Sequence, residues 1–171
     1  IQNELIETVG ECPLVNVPSI GDILGDKLTA FAPETTGIPY YKNDKLVTLE
    51  IIKQLYDVGR LFDRVDNLTI TEAAFSKIAP VELGYRGLPT HDLSVIYEDI
   101  RQTALNISAR GFVDKEKFAL LQKGIISIRP FMYRQNYKIE DAITDASKAA
   151  YLATLLEKGI CEVRHYNGNP L

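Results

Sequence analysis

Residues 18 to 31 of the chain are Pro-Ser-Ile-Gly-Asp-Ile-Leu-Gly-Asp-Lys-Leu-Thr-Ala-Phe. Ser19 and Asp22 have the spacing of a capping box, in which the two side chains satisfy amide groups at the start of a helix. Apolar residues then recur at steps of three and four, which is typical of one buried helix face: Ile20, Ile23, Leu24, Leu28 and Phe31. The stretch therefore predicts a helix over about Ile20 to Ala32, which Pro33 ends.

Lys27 lies on this same apolar face. A lysine in such a place either extends its methylenes along the apolar surface until the ammonium reaches water, or binds an anion in a cleft. The spacing alone leaves both alternatives open.

A second helix is predicted over about Leu46 to Arg64. Its apolar stripe consists of Ile51, Ile52, Leu55, Val58 and Phe62. Asp57 lies off this stripe, on a face that it shares with Glu50, Lys53, Gln54, Arg60 and Arg64. This face is either solvated and ion-paired along the helix, or one wall of a catalytic cleft.

The two segments resemble the third and fourth motifs of the AbiEii-type nucleotidyltransferases. These proteins are toxins of bacterial abortive-infection and type IV toxin–antitoxin systems, with a core like that of DNA polymerase β. In that family a helix with an acidic residue followed by lysine, here Asp26-Lys27, precedes a helix with a (K/Q)-x-(Y/F)-D-like signature, here Gln54-Leu55-Tyr56-Asp57. The resemblance continues through Ala79 to Leu88 and Ile139 to Leu156, and reaches about residue 158.

The resemblance implies a mainly α fold, a helical bundle with one or two short N-terminal strands, forming the C-terminal half of such a nucleotidyltransferase. Residues 1–18 would end the nucleotidyltransferase sheet, and residues 19–171 would form the helical domain. Partly alternating apolar residues predict strands at Leu5 to Val9 and Leu14 to Val17.

The implied activity is transfer of a nucleoside monophosphate from an NTP to an acceptor such as tRNA or another RNA. Lys27 and Asp57 would be catalytic, and Lys27 with Asp26 would bind the nucleotide. The chain has no Gly-Ser dipeptide and no Asp-x-Asp, so Mg²⁺ is expected only for the intact enzyme and no metal ligand is assigned here. We accordingly expect further residues upstream of Ile1 and no activity in the isolated chain.

Caps and stops mark four further helices. The third helix begins at a cap of Thr69 or Thr71 and reaches Tyr85, with a kink or break at Pro80. The fourth runs from a Thr90 cap to a stop at Gly111, and the fifth begins at an Asp114 cap. The sixth spans Ile139 to Lys158, with a small-residue face and a Gly159 cap.

Two other patterns carry weaker hypotheses. The segment Arg129 to Lys138 mixes basic and aromatic residues, which is typical either of RNA contact or of an ordinary connector. Arg86 and His91 have the Arg-x4-His spacing of HEPN-type ribonucleases, although Gly87 and Pro89 place them in a turn. The alternative function from a different class is a non-catalytic helical module that binds a partner protein such as an antitoxin.

Composition sets the outer limits. The chain has 171 residues, 46% of them hydrophobic, and a formal net charge of −4, so any RNA contact must come from a local basic patch. The sequence contains no secretory leader and no long apolar run, and Cys12 and Cys161 form no metal or disulfide motif. We therefore predict a cytoplasmic protein with no membrane contact.

Overall fold

The computed structural model describes residues 14–132 and 136–166. This part of the chain folds into six α-helices and one antiparallel β-hairpin, which confirms the predicted mainly helical class. The elements are α1 (Ile20–Ala30), β1 (Tyr41–Lys42), β2 (Lys45–Leu46), α2 (Thr48–Phe62), α3 (Thr69–Tyr85), α4 (Ser94–Ser108), α5 (Lys115–Ser127) and α6 (Ile139–Glu157). A 3₁₀ turn, Arg129–Phe131, follows α5.

Helix α2 lies at the centre of the bundle and packs against α1, α5 and α6, while α1 packs on α3 and α4 on α6. The predicted apolar stripe of α2 is buried throughout: Ile51, Ile52, Leu55, Val58 and Phe62. The opposite face of α2 is polar, and it lines the surface between α1 and α6.

Close contact between α1 and α3 depends on Gly25. A Cβ atom at this position would lie 2.8 Å from Cβ of Ala74 and 2.8 Å from the carbonyl oxygen of Thr71, closer than such atoms normally approach. The missing side chain lets the two helices pack closely, and this packing sets the position of Lys27, two residues further along α1.

The strands lie elsewhere than predicted. Residues 14–17 form no strand: no described segment pairs with them, and Leu14, Val15 and Val17 are exposed. The hairpin instead connects α1 to α2, with Tyr41 opposite Leu46. Its two-residue loop, Asn43-Asp44, has φ values of 50° and 61°, as a tight hairpin turn requires. Leu5 to Val9 lies outside the described residues.

Two of the predicted helix caps are wrong, and the reason is the same in both cases. At α3, Asn67 Oδ1 accepts from the Thr69 amide at 2.9 Å; at α4, Asp92 Oδ1 accepts from the Ser94 amide at 3.0 Å. Both side chains bond to the amide two residues ahead, a local turn that Asn and Asp form more readily than Thr. Thr69, Thr71 and Thr90 therefore do not cap.

Helix α3 runs through Pro80 to Tyr85, so the proline does not break it. Proline removes one helical hydrogen bond, and burial of the neighbouring Ala79 and Leu83 holds the helix together. The predicted Asp114 cap of α5 is confirmed, because its Oδ1 accepts from the Lys117 amide at 2.9 Å. The small-residue face of α6 is buried as predicted: Ala142, Ala146, Ala149 and Ala153.

Candidate functional site

The beginning of α1 is fixed by the predicted capping box. Ser19 Oγ accepts from the Asp22 amide at 3.2 Å, and Asp22 Oδ2 accepts from the Ser19 amide at 2.8 Å. Leu24 and Leu28 are fully buried on the face below, and Lys27 between them is half-buried. The helix therefore holds a lysine at the edge of its buried face.

Lys27 and Asp57 form an ion pair between α1 and α2. Lys27 Nζ lies 3.2 Å from Asp57 Oδ2, and the side chains keep 26% and 42% of their surface exposed. Water screens charges at such exposure, so the pair contributes only about 0–1 kcal/mol to stability. The anion that Lys27 meets is thus a carboxylate of its own chain, held weakly enough for a ligand to compete with it.

Asp26, the third predicted site residue, is exposed on α1. It lines a different cavity of about 310 Å³, together with Lys42, Glu82 and Arg86. The structure therefore brings Lys27 and Asp57 together and places Asp26 beside other charged groups.

Magnesium needs several oxygen ligands that converge on one point. Across residues 14–132 and 136–166, no three Asp, Glu, His or Cys side chains are grouped so as to hold a metal ion. Asp57 is a single carboxylate and is paired with Lys27. The described residues on their own do not fit a magnesium site.

The polar face of α2 is only partly paired along its own helix. Lys53 Nζ and Glu50 Oε1 are 2.9 Å apart, as the spacing predicts. Arg60 instead reaches α6, where its Nη2 lies 3.0 Å from Asp145 Oδ1. Asp145 was not among the predicted site residues.

Asp145 is fully buried and is the centre of a polar cluster between α2 and α6. Its Oδ2 accepts from the Tyr137 hydroxyl at 2.9 Å while its Oδ1 accepts from Arg60. Burial raises the pKa of Asp145, and the charge of Arg60 and the hydrogen bond from Tyr137 oppose this rise. Burial also raises the pKa of Tyr137, so its hydroxyl remains a donor at neutral pH.

Gly59 allows this cluster to form. A Cβ atom at position 59 would overlap the carboxylate of Asp145, so α6 can approach α2 only because the side chain is absent. Lys148 of α6 completes the contact: its Nζ bonds to both carboxylate oxygens of Asp63 at 2.8 Å and to the Gly59 carbonyl at 3.2 Å. Arg60 is thereby held at a defined place beside Asp57.

A cavity of about 280 Å³ opens beside the cluster and is lined by Tyr56, Arg60, Asn136, Tyr137 and Asp141. The rings of Tyr56 and Tyr137 meet edge to face at 5.6 Å, and the Arg60 guanidinium lies 5.4 Å from the Tyr56 ring centre. The cavity thus combines aromatic walls with a fixed cation one helical turn from Asp57.

The mixed basic and aromatic segment is only partly on the surface. Phe131 is 62% exposed, and Lys53 Nζ lies 4.5 Å from its ring centre. Tyr137 is 3% exposed and its hydroxyl donates to Asp145, so its ring does not face solvent where an RNA base could stack on it. Tyr133 and Arg134 lie outside the described residues.

The Arg-x4-His pattern lies in a turn, as Gly87 and Pro89 indicate. Arg86 follows the end of α3 and donates to the Gly37 carbonyl. His91 is exposed and precedes α4, which begins at Ser94, four residues after the predicted Thr90 cap. Arg86 is thus engaged in holding the α1–α2 connection.

Comparison with protein-family models, curated proteins and solved structures finds no significant match to this chain. The class of the protein is given by its fold, a mainly helical bundle with a short antiparallel hairpin. Among the helices of the described residues, none combines the length and apolar character needed to cross a bilayer.

Proposed function

We propose that the chain is the helical part of a nucleotidyltransferase that transfers a nucleoside monophosphate from an NTP to an RNA acceptor, within an abortive-infection or toxin–antitoxin system. The observation that supports this proposal is the 3.2 Å approach of Lys27 and Asp57. These are the two catalytic residues that the family resemblance implies, and they lie on neighbouring helices 30 positions apart in sequence.

Lys27 would bind the triphosphate as a point charge. Its ammonium already has an anionic partner at the protein surface, so a more highly charged phosphate can replace the Asp57 carboxylate at little cost. The Lys27 ammonium would attract the negative charge that builds up on the leaving pyrophosphate. It would therefore stabilise the transition state more than the bound NTP.

Asp57 would act on the acceptor once its partner binds phosphate. Its carboxylate could then accept a hydrogen bond from the attacking hydroxyl and orient that oxygen toward the α-phosphorus. A bond forms between this oxygen and phosphorus, the bond from phosphorus to pyrophosphate breaks, and the hydroxyl proton leaves to Asp57 or water. When the triphosphate replaces Asp57 as the partner of Lys27, the Asp57 carboxylate is released. NTP binding is in this way coupled to the availability of Asp57 for the acceptor.

The family resemblance implies Mg²⁺ for the intact enzyme, where it would neutralise charge on the phosphates. Since the described residues do not fit such a site, the proposal gives them no magnesium ligand. It instead requires a Gly-Ser motif and a carboxylate pair from outside this sequence, which contains neither.

An RNA acceptor could approach along the polar face of α2. Lys53 lies one turn before Asp57 and sits over the exposed ring of Phe131, so a cation and an aromatic ring adjoin the proposed reaction centre. Such a combination suits a backbone phosphate and an unpaired base.

The test is titration of the chain with inorganic tripolyphosphate, followed by NMR of the lysine side chains. One lysine–phosphate contact open to water gives roughly millimolar affinity. The Lys27 signals should shift, and Lys27→Met should abolish saturable binding. Lys117→Met is the matched control, because Lys117 also forms a half-exposed ion pair, at 2.9 Å from Glu34. Binding that survives Lys27→Met would contradict the proposal.

The second candidate function is a non-catalytic module that binds a partner such as an antitoxin protein. It is favoured by Phe112 and Val113 in the turn between α4 and α5, where they keep 94% and 52% of their surface exposed. Adjacent exposed apolar side chains are typical of protein interfaces. This candidate predicts no phosphate binding at Lys27, so the same titration separates the two functions.

A further inference from the structure

We propose that the cavity between α2 and α6 binds the nucleobase of the incoming nucleotide, with Arg60 and Asn136 contacting the edge of the base. The cavity is lined by Tyr56, Arg60, Asn136, Tyr137 and Asp141. This inference rests on the proposed function for the phosphate end of the ligand and extends it to the base.

The size of the cavity sets the size of its ligand. Its volume of about 280 Å³ is at or below the lower end of the range for sites that bind drug-sized molecules, roughly 300–1,000 Å³. One heteroaromatic ring system fits such a space, whereas a whole nucleoside triphosphate does not. The sugar and phosphates of a bound nucleotide would extend out of the cavity.

The charge of the lining favours a neutral ring over a free phosphate. Arg60 is the cation, and the buried Asp145 carboxylate 3.0 Å away balances it. Asp141 adds a carboxylate at the edge, where its Oδ2 accepts from the Lys138 amide at 2.8 Å. A phosphate would meet no net positive charge here, while a base offers hydrogen-bonding edges and no charge to desolvate.

The orientation of Arg60 is fixed before any ligand arrives. Asp145 accepts from Nη2, and the Tyr56 ring lies 5.4 Å from the guanidinium carbon. The side chain still keeps 45% of its surface exposed, so the planar group holds further donors toward the cavity and the solvent. The amide of the exposed Asn136 adds one acceptor and two donors.

The position of the cavity connects it to Lys27 and Asp57. Arg60 lies three residues after Asp57 and four after Tyr56 in α2, so its side chain is a helical neighbour of both. A base against Tyr56 would direct its sugar and phosphates over Asp57 toward Lys27. Arg60 in the cavity and Asp57 in the ion pair are thus one helical turn apart on α2.

The experiment measures binding of the four uncharged ribonucleosides to the chain by NMR, because a nucleoside carries no phosphate for Lys27. At least one should bind with a Kd of roughly 0.1–1 mM and shift the signals of Tyr56, Tyr137 and Asn136. Asn136→Ala should weaken this binding at least threefold and Arg60→Lys at least tenfold. Arg64→Ala is the matched control, because Arg64 is an exposed arginine in the turn after α2, and it should leave Kd unchanged.

Arg60 also binds Asp145, so a change at Arg60 can affect stability, and the melting temperature of each variant is recorded. Asn136 is exposed, so Asn136→Ala tests the cavity without disturbing the contact between Arg60 and Asp145. Absence of binding by every nucleoside, or binding that both variants leave unchanged, would overturn the inference. If Lys27→Met abolishes tripolyphosphate binding but no nucleoside binds, the base site is refuted and the proposed function is not. If a nucleoside binds but tripolyphosphate does not, the base site is supported and the proposed function is refuted.

Discussion

Lys27 and Asp57 bridge α1 and α2 at 3.2 Å, although each is only half-buried. A pair at this depth has little value for stability, because hydration and side-chain entropy offset most of the attraction. Lys27 nevertheless lies at the edge of the buried face of α1, and this position fixes where its ammonium lies. The pair therefore contributes little to holding the bundle together.

The first prediction concerns Lys27. In the whole enzyme of the proposal, Lys27→Ala should reduce nucleotide transfer to RNA by a factor of about 10²–10³, since it removes a charged contact to the triphosphate. Helix content by circular dichroism should stay nearly unchanged, because the ion pair contributes about 1 kcal/mol or less. Transfer of labelled nucleotide at the parent rate would contradict the role of Lys27.

The second prediction separates a catalytic from a structural role for Asp57. Asp57→Asn keeps the shape of the side chain and removes its charge, so unfolding in urea should show a loss of at most about 1 kcal/mol. Transfer activity should fall by far more than this change in stability explains. Glu50→Gln, which breaks the pair with Lys53 on the same helix, is the control and should leave activity unchanged. Normal turnover in Asp57→Asn would favour a solvated, ion-paired face.

The sequence pattern that drew attention to Lys27 is also present at Asp145. Lys27 was identified because a charged residue interrupts an apolar face, and Asp145 interrupts the small-residue face of α6 in the same way, between Ala142 and Ala146. Applied to α6, the rule would have marked Asp145 as a buried carboxylate in need of a partner. It could not have named Arg60, because the choice of partner depends on how α2 and α6 pack.

The hairpin shows a different limit of sequence reasoning. Its strands are two residues each, too short for an alternating pattern to show. The local signal was the Asn43-Asp44 pair, since both residues adopt positive φ more easily than most. Long amphipathic helices such as α2 were predictable because their period repeats over several turns, whereas helix beginnings depended on which of several nearby polar side chains formed the cap.

The third prediction concerns the contact of Gly59 with Asp145. Gly59→Ala should destabilise the protein by about 1–3 kcal/mol in urea unfolding, because a Cβ atom there overlaps the carboxylate and pushes α6 away. Gly84→Ala is the matched control: its Cβ would lie 3.6 Å from Thr90 Cγ2, an ordinary contact. That variant should be unchanged or more stable by up to about 1 kcal/mol, since alanine favours helix. Equal effects at both positions would contradict the close packing at Gly59.

The last prediction concerns Asp99, which ties the residues after α1 to α4. Its Oδ2 accepts from the amides of Glu34 and Thr35, each at 2.9 Å, and from the Thr35 hydroxyl at 2.8 Å. Burial raises the pKa of Asp99 to about 6, from an ordinary value of 3.8. The folded state therefore binds the proton more tightly than the unfolded state, and the contribution of Asp99 to stability is lost as the pH rises from about 4 through 6.

Asp99→Asn should abolish this dependence, because the amide oxygen can keep the accepted hydrogen bonds and has no proton to lose. The free energy of unfolding of the variant relative to the parent should rise by about 2–3 kcal/mol between pH 4 and pH 7. Asp92→Asn is the control, because hydrogen bonds from Ser94 lower the pKa of the exposed Asp92; its relative stability should fall over the same range. Urea unfolding at both pH values measures each difference, and parallel pH profiles for the parent and Asp99→Asn would contradict the burial of an ionisable Asp99.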